Sequence, residues 1–361
     1  MSTDTLQIRY VLERPQFDLD VAIDIPMRGI TGIFGESGAG KTTLLRCIAG
    51  LELPTSGTLL VGGETWQDQS AGFSRPVHER EIGYVFQEPR LFSHLDVQSN
   101  LVYGNRRAGA NGGAIEFDRV TDLLGLERML NRKPAELSGG EAQRVAIGRA
   151  LLRAPRLVLM DEPLASLDTK RRNEILPFLD RLHAELSIPI VYVSHNIEEV
   201  CRLCDHLVVI DAGRVVAEGE LQAVLVRMDV PQLSGEEAGS VILGTVSAYD
   251  PGYDLTTIKF SGGEFRVPGD HGEADAPLRL RIRANDISLC REKPGQTTIL
   301  NVLAARIDAM QELQGASRLL RLRVGDELLL ARITRRSCDE LGLRSGDKIQ
   351  AQIKAVAVRS P

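Results

Sequence analysis

Apolar residues follow two different periods along this chain, and the change between them divides it. Up to about residue 230, short runs rich in Val, Ile and Leu alternate with helical patterns; "RLVLMDEP", "IPIVYVSH" and "HLVVIDAGRVV" are three such runs. Continuous apolar runs of this kind read as strands buried on both faces, the usual condition of a largely parallel sheet. Between about Pro89 and Pro155 the pattern turns mostly helical, which predicts a helical insert over 89–155. From Val241 onward the period is two: "LTTIKF", "LRLRIRA", "LLRLRV", "ELLLARIT" and "IQAQIKAVAV" are separated by Gly, Pro, Asp and Asn turns. That pattern predicts a small all-β barrel. The expected organisation is an α/β domain over 1–230, an acidic, glycine-containing linker at 231–240 and a β-barrel domain over 241–361.

Composition narrows the class. A chain of 361 residues is longer than one core usually supports, so two domains are expected. Hydrophobic content of 43% and charged content of 25% are those of a globular protein. No apolar run approaches the ~18 residues a membrane helix needs. The opening "MSTDTLQIRY" is polar and mixed and lacks the form of a secretory leader. A cytoplasmic location is expected, with any membrane role exerted through a partner. The chain has 43 Lys+Arg and 49 Asp+Glu; residues 240–361 hold 18 and 15 of them and the rest of the chain 25 and 34. An acidic main body argues against non-specific nucleic-acid binding. Five scattered cysteines do not form a disulfide framework. Cys201 and Cys204 make a C-x-x-C pair inside a helical pattern, where helix packing is the expected role.

The chemistry starts at "GIFGESGAGKTTLLRCIAG", residues 32–50. Ile33 and Phe34 end a buried-strand run, and the apolar positions after Thr42 have helical spacing. Gly35, Glu36, Ser37, Gly38, Ala39 and Gly40 form the loop between them, followed by Lys41, Thr42 and Thr43. Glycines bring loop amides close to a ligand, and those amides converge with a helix N-terminus on one anion. Gly35, four residues, then Gly40-Lys41-Thr42 is the phosphate-loop spacing. Lys41 is expected to reach the β- and γ-phosphates of a nucleotide, and Thr42 to help hold Mg²⁺. "RLVLMDEP" ends in Asp161, placed to bind Mg²⁺ through water, and Glu162, placed to polarise an attacking water. "LSGGEAQRVAIGRALL", residues 137–152, sets Ser138, Gly139 and Gly140 at a second amide-rich helix start. With a phosphate loop already in the chain, this second anion-binding end would serve the nucleotide of a second chain.

Together these stretches resemble the ATPase subunit of an ABC transporter: "GESGAGKT" matches Walker A, "LVLMDE" Walker B and "LSGGEAQ" the signature, with Glu141 where glutamine is commoner. The resemblance implies an α/β P-loop NTPase with a helical subdomain, followed by a small all-β OB-like domain. It makes Gln87, in "GYVFQEPRLF", the Q-loop residue that touches Mg²⁺ and faces the membrane partner. It makes Asp168, in "SLD", the D-loop residue, and His195, in "VYVSHNIEEV", the switch histidine at the γ-phosphate. It implies an adenine-stacking aromatic, Tyr10 or Phe17, and a head-to-tail homodimer sandwiching two ATP molecules. It also implies two transmembrane permease subunits and a peripheral position on the cytoplasmic face of the inner membrane.

"TTILNVLAARI", residues 297–307, and "AQIKAVAV", residues 351–358, resemble the oxyanion-binding Mop or TOBE-like barrel; "GYVFQEPRLFSHLDV" and "DEPLASLD" resemble the molybdate branch of the importer ATPases. The resemblance implies a molybdate importer served by a periplasmic or extracellular molybdate-binding protein, with Thr298, Asn301 and Lys354 as oxyanion ligands in the tail. An importer ATPase for sulfate, ferric iron or a sugar is the alternative. A soluble ABC protein of DNA repair or translation is another, but the chain has a single signature motif and no long heptad run.

Overall fold

The computed structural model describes residues 4–15, 17–104, 116–185 and 187–355. The chain divides into two compact units, Met1–Gly219 and Glu220–Pro361.

The first unit carries, in chain order, β1 (Thr5–Arg14), β2 (Phe17–Pro26), β3 (Ile30–Phe34), α1 (Lys41–Ala49), β4 (Ser56–Val61), β5 (Glu64–Asp68), β6 (Phe73–Ser74) and β7 (Ile82–Val85). It continues with α2 (Val97–Val102), α3 (Phe117–Leu124), α4 (Gly139–Leu151), β8 (Leu157–Asp161), α5 (Thr169–Glu185), β9 (Ile190–Ser194), α6 (Ile197–Leu203), β10 (His206–Asp211) and β11 (Arg214–Glu220). Among the described residues the strands form one sheet in the order β6-β5-β4-β1-β2-β11-β10-β3-β9-β8-β7. β10, β3, β9, β8 and β7 pair in parallel. Every residue of β3, β8 and β9 is buried, so their unbroken apolar runs are explained by cover on both faces.

The flank was not predicted. β1 pairs antiparallel with β2 and β4, and β4 with β5, while β2 pairs in parallel with β11, so the sheet is mixed, with its antiparallel part on the β1 side. β1 and β2 alternate, with Leu6, Ile8 and Tyr10 facing Ile23, Ile25 and Trp66 in the core beneath α1. "HLVVIDAGRVV" is likewise two strands, β10 and β11, broken at Ala212-Gly213, where both residues have positive φ. The helical insert is α2, α3 and α4. Gly148 lets α4 sit close to its neighbours, since a Cβ there would fall 2.8 Å from Leu101 Cδ2.

One fully buried cation stands out. Arg80 donates from Nη1 to the carbonyls of Cys47 and Ile48 at the end of α1, and from Nη2 to Gln67 Oε1. It thus caps the C-terminus of the phosphate-loop helix with a charge that suits the helix dipole. The C-x-x-C pair is helix packing: both cysteines are buried, and Gly32, having no Cβ, leaves room for Cys204 Sγ.

The second unit contains α7 (Leu221–Leu225), β12 (Gly239–Asp250), β13 (Leu255–Phe260), β14 (Gly263–Pro268), β15 (Pro277–Arg283), β16 (Ile287–Cys290), β17 (Asn301–Glu312), β18 (Ser317–Val324), β19 (Glu327–Thr334), α8 (Arg335–Glu340) and β20 (Lys348–Ile353). The strands make two antiparallel sheets, β14-β13-β12-β15 and β16-β20-β17-β18-β19, which share one apolar core including Ile242, Phe265, Leu322 and Ile349. Residues 220–230, expected with the first domain, lie in this second unit, where Val226 and Met228 pack with Ala238, Leu319 and Leu330. The expected linker at 231–240 is structured: Pro231–Leu233 is a 3₁₀ turn and β12 starts at Gly239.

Candidate nucleotide site

The site is built at the C-terminal ends of the parallel strands, where an open α/β sheet places its ligands. β3 hands over to the loop 35–40, and α1 begins at Lys41. Gly38 and Gly40 have φ of 84° and 101°, a region that side chains with a Cβ rarely enter. The N-terminus of α1 has no side-chain cap and no acidic residue in its first turn. Its amides are therefore available to an external anion, and a Cβ at Gly38 would meet nothing within 4 Å.

Lys41 is buried and curled back over the loop, donating from Nζ to Gly35 O at 2.9 Å and Glu36 O at 2.8 Å. Burial pushes its ammonium down from the usual lysine range; Glu162, with Oε1 at 3.7 Å, and Asp161 oppose that. Thr42 Oγ1 donates to Asp161 Oδ1 at 2.9 Å. Burial raises the Asp161 carboxyl, while hydrogen bonds from Thr42 and Tyr84 pull it down. Glu162 has φ of 45°, the left-handed region, and its amide donates to Val193 O on β9. A non-glycine residue held there is strained. That backbone turns its carboxylate between Lys41 and His195, whose Nδ1 lies 2.9 Å from Glu162 Oε2.

Most of the residues expected from sequence thus meet in space. Thr42, Gln87 and Asp161 line one cleft with Arg46, Glu88 and Ser166. Phe17, of the two candidate aromatics, is beside the loop: a Cβ on Gly40 would fall 2.5 Å from its Cζ. Tyr10 is fully buried with its hydroxyl on Gln67 Oε1, so no adenine can reach it. Asp168 is exposed and accepts from Arg171 N, capping the start of α5. Among the described residues no hydrogen bond or ion pair joins Ser138, Gly139 or Gly140 to the phosphate loop of the same chain. Ser138 caps α4 by accepting from Glu141 N, and Glu141 Oε2 accepts from Ser138 N at 2.7 Å. This capping box gives the unusual Glu141 a local reason, and the Ser138 amide holds its carboxyl below the usual range.

The oxyanion ligands expected in the tail are not assembled in that form. Asn301 is buried, its Oδ1 accepting from Arg266 N at 2.7 Å and its Nδ2 donating to Arg266 O at 3.1 Å. Its amide is spent clamping β17 to β14, so it is a structural residue rather than a free ligand. Thr298 is exposed before the start of β17, and Lys354 is exposed one residue past Ile353, the partner of Asn301. Residues 356–358 of the expected closing strand lie outside the described residues.

Sequence reasoning missed Tyr84, which contacts Asp161, and Glu199. The Glu199 carboxylate is buried on α6 and accepts from Tyr192 OH and Ser194 Oγ, each at 2.9 Å; Arg172 Nε lies 3.2 Å away. Ser194 Oγ in turn accepts from Asn196 N, so the network brackets His195 on both sides. Glu199→Ala should leave the buried Tyr192 and Ser194 hydroxyls without their acceptor and Arg172 without its ion-pair partner, and destabilise the chain by about 3 kcal/mol. Chemical denaturation measures this, and a loss below about 1 kcal/mol would count against it.

The "Molybdenum import ATP-binding protein ModC 1" of Azotobacter vinelandii is 48% identical over 359 residues, 99% of this chain and 99% of that protein. The chain belongs to the ABC transporter ATP-binding family. The profile described as ABC transporter matches residues 19–165 of this ABC ATPase, and that of the TOBE domain residues 297–359. The Pseudomonas aeruginosa "Molybdenum import ATP-binding protein ModC" is also 48% identical, over 98% of this chain and 99% of its own. Among solved structures, cbiO1 from Clostridium perfringens, part of the ABC transporter complex cbiONQ, is 29% identical over 62% of this chain and 92% of its own, with a TM-score of 0.52. A nucleotide-free ATP-binding cassette from an ABC transporter is 25% identical over 64% of this chain and 99% of its own, with a TM-score of 0.54. This ABC ATPase therefore binds and hydrolyses ATP.

Proposed function

We propose that this ABC ATPase powers import of molybdate through a membrane transporter. The observation that carries this reading is the 48% identity to molybdenum import proteins, which runs through the second unit as well as the first.

In the proposed mechanism, Lys41 leaves the Gly35 and Glu36 carbonyls for the phosphate oxygens of ATP, while the uncapped amides of α1 hold the same phosphates. Phe17 stacks on the adenine. Glu162 accepts a hydrogen bond from the attacking water as its oxygen bonds to the γ-phosphorus and the bond to the ADP oxygen breaks. His195 fixes the Glu162 carboxylate and approaches the same phosphate. The oxygen donors Thr42, Gln87 and Asp161 suit Mg²⁺, a hard cation that supplies charge neutralisation on the phosphates when bound. Ser138, Gly139 and Gly140, with Asp168, serve the nucleotide of a second chain in a head-to-tail homodimer.

No helix among the described residues is long and apolar enough to cross a membrane. We place the protein on the cytoplasmic face of the inner membrane, held by two permease subunits. Their docking surface is an apolar cleft of about 400 Å³ between the sheet and α4, lined by Leu51, Val77, Phe86, Arg90, Phe92 and Tyr103. Leu51, Val77 and Tyr103 are each more than two-fifths exposed there, which suits an apolar helical segment of a permease.

The test is uptake by the reconstituted transporter with radiolabelled molybdate, tungstate and sulfate. ATP-dependent uptake of molybdate, unaffected by excess sulfate, is expected. Uptake of sulfate in its place would assign the chain to another importer branch.

A further inference from the structure

Asp161 is held from two sides. Its Oδ1 accepts from Thr42 Oγ1 at 2.9 Å, and its Oδ2 accepts from Tyr84 OH at 3.2 Å. Tyr84 lies on β7, which pairs in parallel with β8, so its neighbour across the ladder is Leu159 and the hydroxyl reaches forward to the strand tip. The other end of this side chain belongs to a different surface. The Tyr84 ring packs on Phe86 with centroids 4.3 Å apart, and the Arg90 guanidinium lies 4.6 Å over Phe86. Tyr84 lines both the polar cleft with Thr42, Gln87 and Asp161 and the apolar cleft with Leu51, Phe92 and Tyr103. One rigid side chain therefore spans from the metal-site carboxylate to the surface on which a partner would sit.

We propose that Tyr84 is a positioning residue: its hydroxyl holds Asp161 for the metal, and its ring makes that hold depend on what fills the apolar cleft. A body pressed against Phe86 and Tyr84 shifts the phenol, and the phenol carries the shift to Oδ2. The coupling is reciprocal, so metal bound at Asp161 also changes the fit of the cleft. The inference rests on the reading of Asp161 as a metal-site carboxylate and of the cleft as the permease surface.

The experiment titrates Mn²⁺ as the probe, by electron paramagnetic resonance, on the full-length Glu162→Gln chain with ATP present. Tyr84→Phe keeps the ring and removes the hydroxyl. It should weaken Mn²⁺ binding about three- to tenfold, with the melting temperature and the affinity for metal-free ATP unchanged. Tyr84→Met, which keeps apolar volume, should show the same loss. Equal Mn²⁺ affinity in the parent Glu162→Gln chain and both variants overturns the positioning role. The same titration on the assembled transporter reads the second half. Assembly should change Mn²⁺ affinity in the parent Glu162→Gln chain, and adding Tyr84→Phe should bring the ratio of assembled to free affinity close to one. An identical ratio in both overturns the link to the cleft. A parent Glu162→Gln chain that binds ATP but no Mn²⁺ overturns the metal-site reading itself, and with it the proposal. A chain that responds to Tyr84→Phe yet transports no molybdate leaves the positioning role standing and removes the importer reading alone.

Discussion

Glu162→Gln should bind ATP as tightly as the wild type and hydrolyse it at least about 100-fold more slowly. The substitution keeps the size and shape of the side chain and replaces one acceptor oxygen by an amide nitrogen. The left-handed backbone at φ 45° is equally open to Gln, and the amide from residue 162 to Val193 O survives. His195 Nδ1, 2.9 Å from Oε2, can still pair with either end of an amide by choice of tautomer. The loss is the negative charge that would polarise the attacking water. The same charge also helps keep the buried Lys41 protonated, but in the ATP-bound site the phosphates take over that role. Binding should therefore be spared and turnover lost. Phosphate release under saturating ATP, beside titration with a fluorescent ATP analogue, separates the two. Equal turnover would refute the role of Glu162. A parallel loss of binding would show instead that the carboxylate holds Lys41 in place. Lys41→Ala should give that second pattern, because it removes a charge from the phosphates themselves.

How much of this was legible in the sequence follows from the range of the forces involved. The phosphate loop could be read because its requirements are local: positive φ at Gly38 and Gly40, an uncapped helix start and a lysine at fixed spacing all lie within eight residues. The strands β3, β8 and β9 could be read because burial on both faces leaves a continuous apolar run. Strands of the second unit such as "LTTIKF" and "ELLLARIT" coincide with β13 and β19: in β13 one buried face imposes a period of two, and in β19 Leu329 and Ala331 enter one core while Leu330 enters another. What escaped depends on partners far along the chain. Tyr84 meets Asp161 across 77 positions, and no periodicity marks its hydroxyl as different from that of any strand tyrosine. Asn301 reads as a free polar ligand until β14, 35 residues earlier, is laid against it. The choice between Tyr10 and Phe17 turns on which face of the β1–β2 hairpin meets the core. Alternation puts Tyr10 under α1 and leaves Phe17 at the strand end by the loop. Glu199 and Glu198 stand side by side in the first turn of α6, where acids are ordinary, so nothing local singles out Glu199.

Ser138→Arg should abolish ATP-driven dimerisation while leaving the affinity of one chain for ATP within about twofold of wild type. Within a chain, Ser138 is exposed, and its hydroxyl and amide are used in the capping box with Glu141 rather than at the phosphate loop. In the head-to-tail arrangement proposed above, that helix start closes over the nucleotide of the other subunit. Ser138, Gly139 and Gly140 are small, so the backbone amides can approach the phosphates closely. An arginine has the right sign for a phosphate, so the expected loss comes from bulk holding the two chains apart. Sedimentation of the Glu162→Gln, Ser138→Arg double variant with ATP reads the result, because the first change prevents hydrolysis from dissolving the dimer. The cap complicates matters: removing it costs about 1 kcal/mol of helix stability whatever replaces serine. Ser138→Ala supplies the comparison. It loses the cap without adding bulk, and should melt like Ser138→Arg yet still dimerise, more weakly than wild type. A normal ATP dimer from Ser138→Arg would remove the α4 N-terminus from the shared site. Equal failure of both variants, with equal melting temperatures, would trace the defect to the fold of α4 instead of to its contact with a second chain's nucleotide.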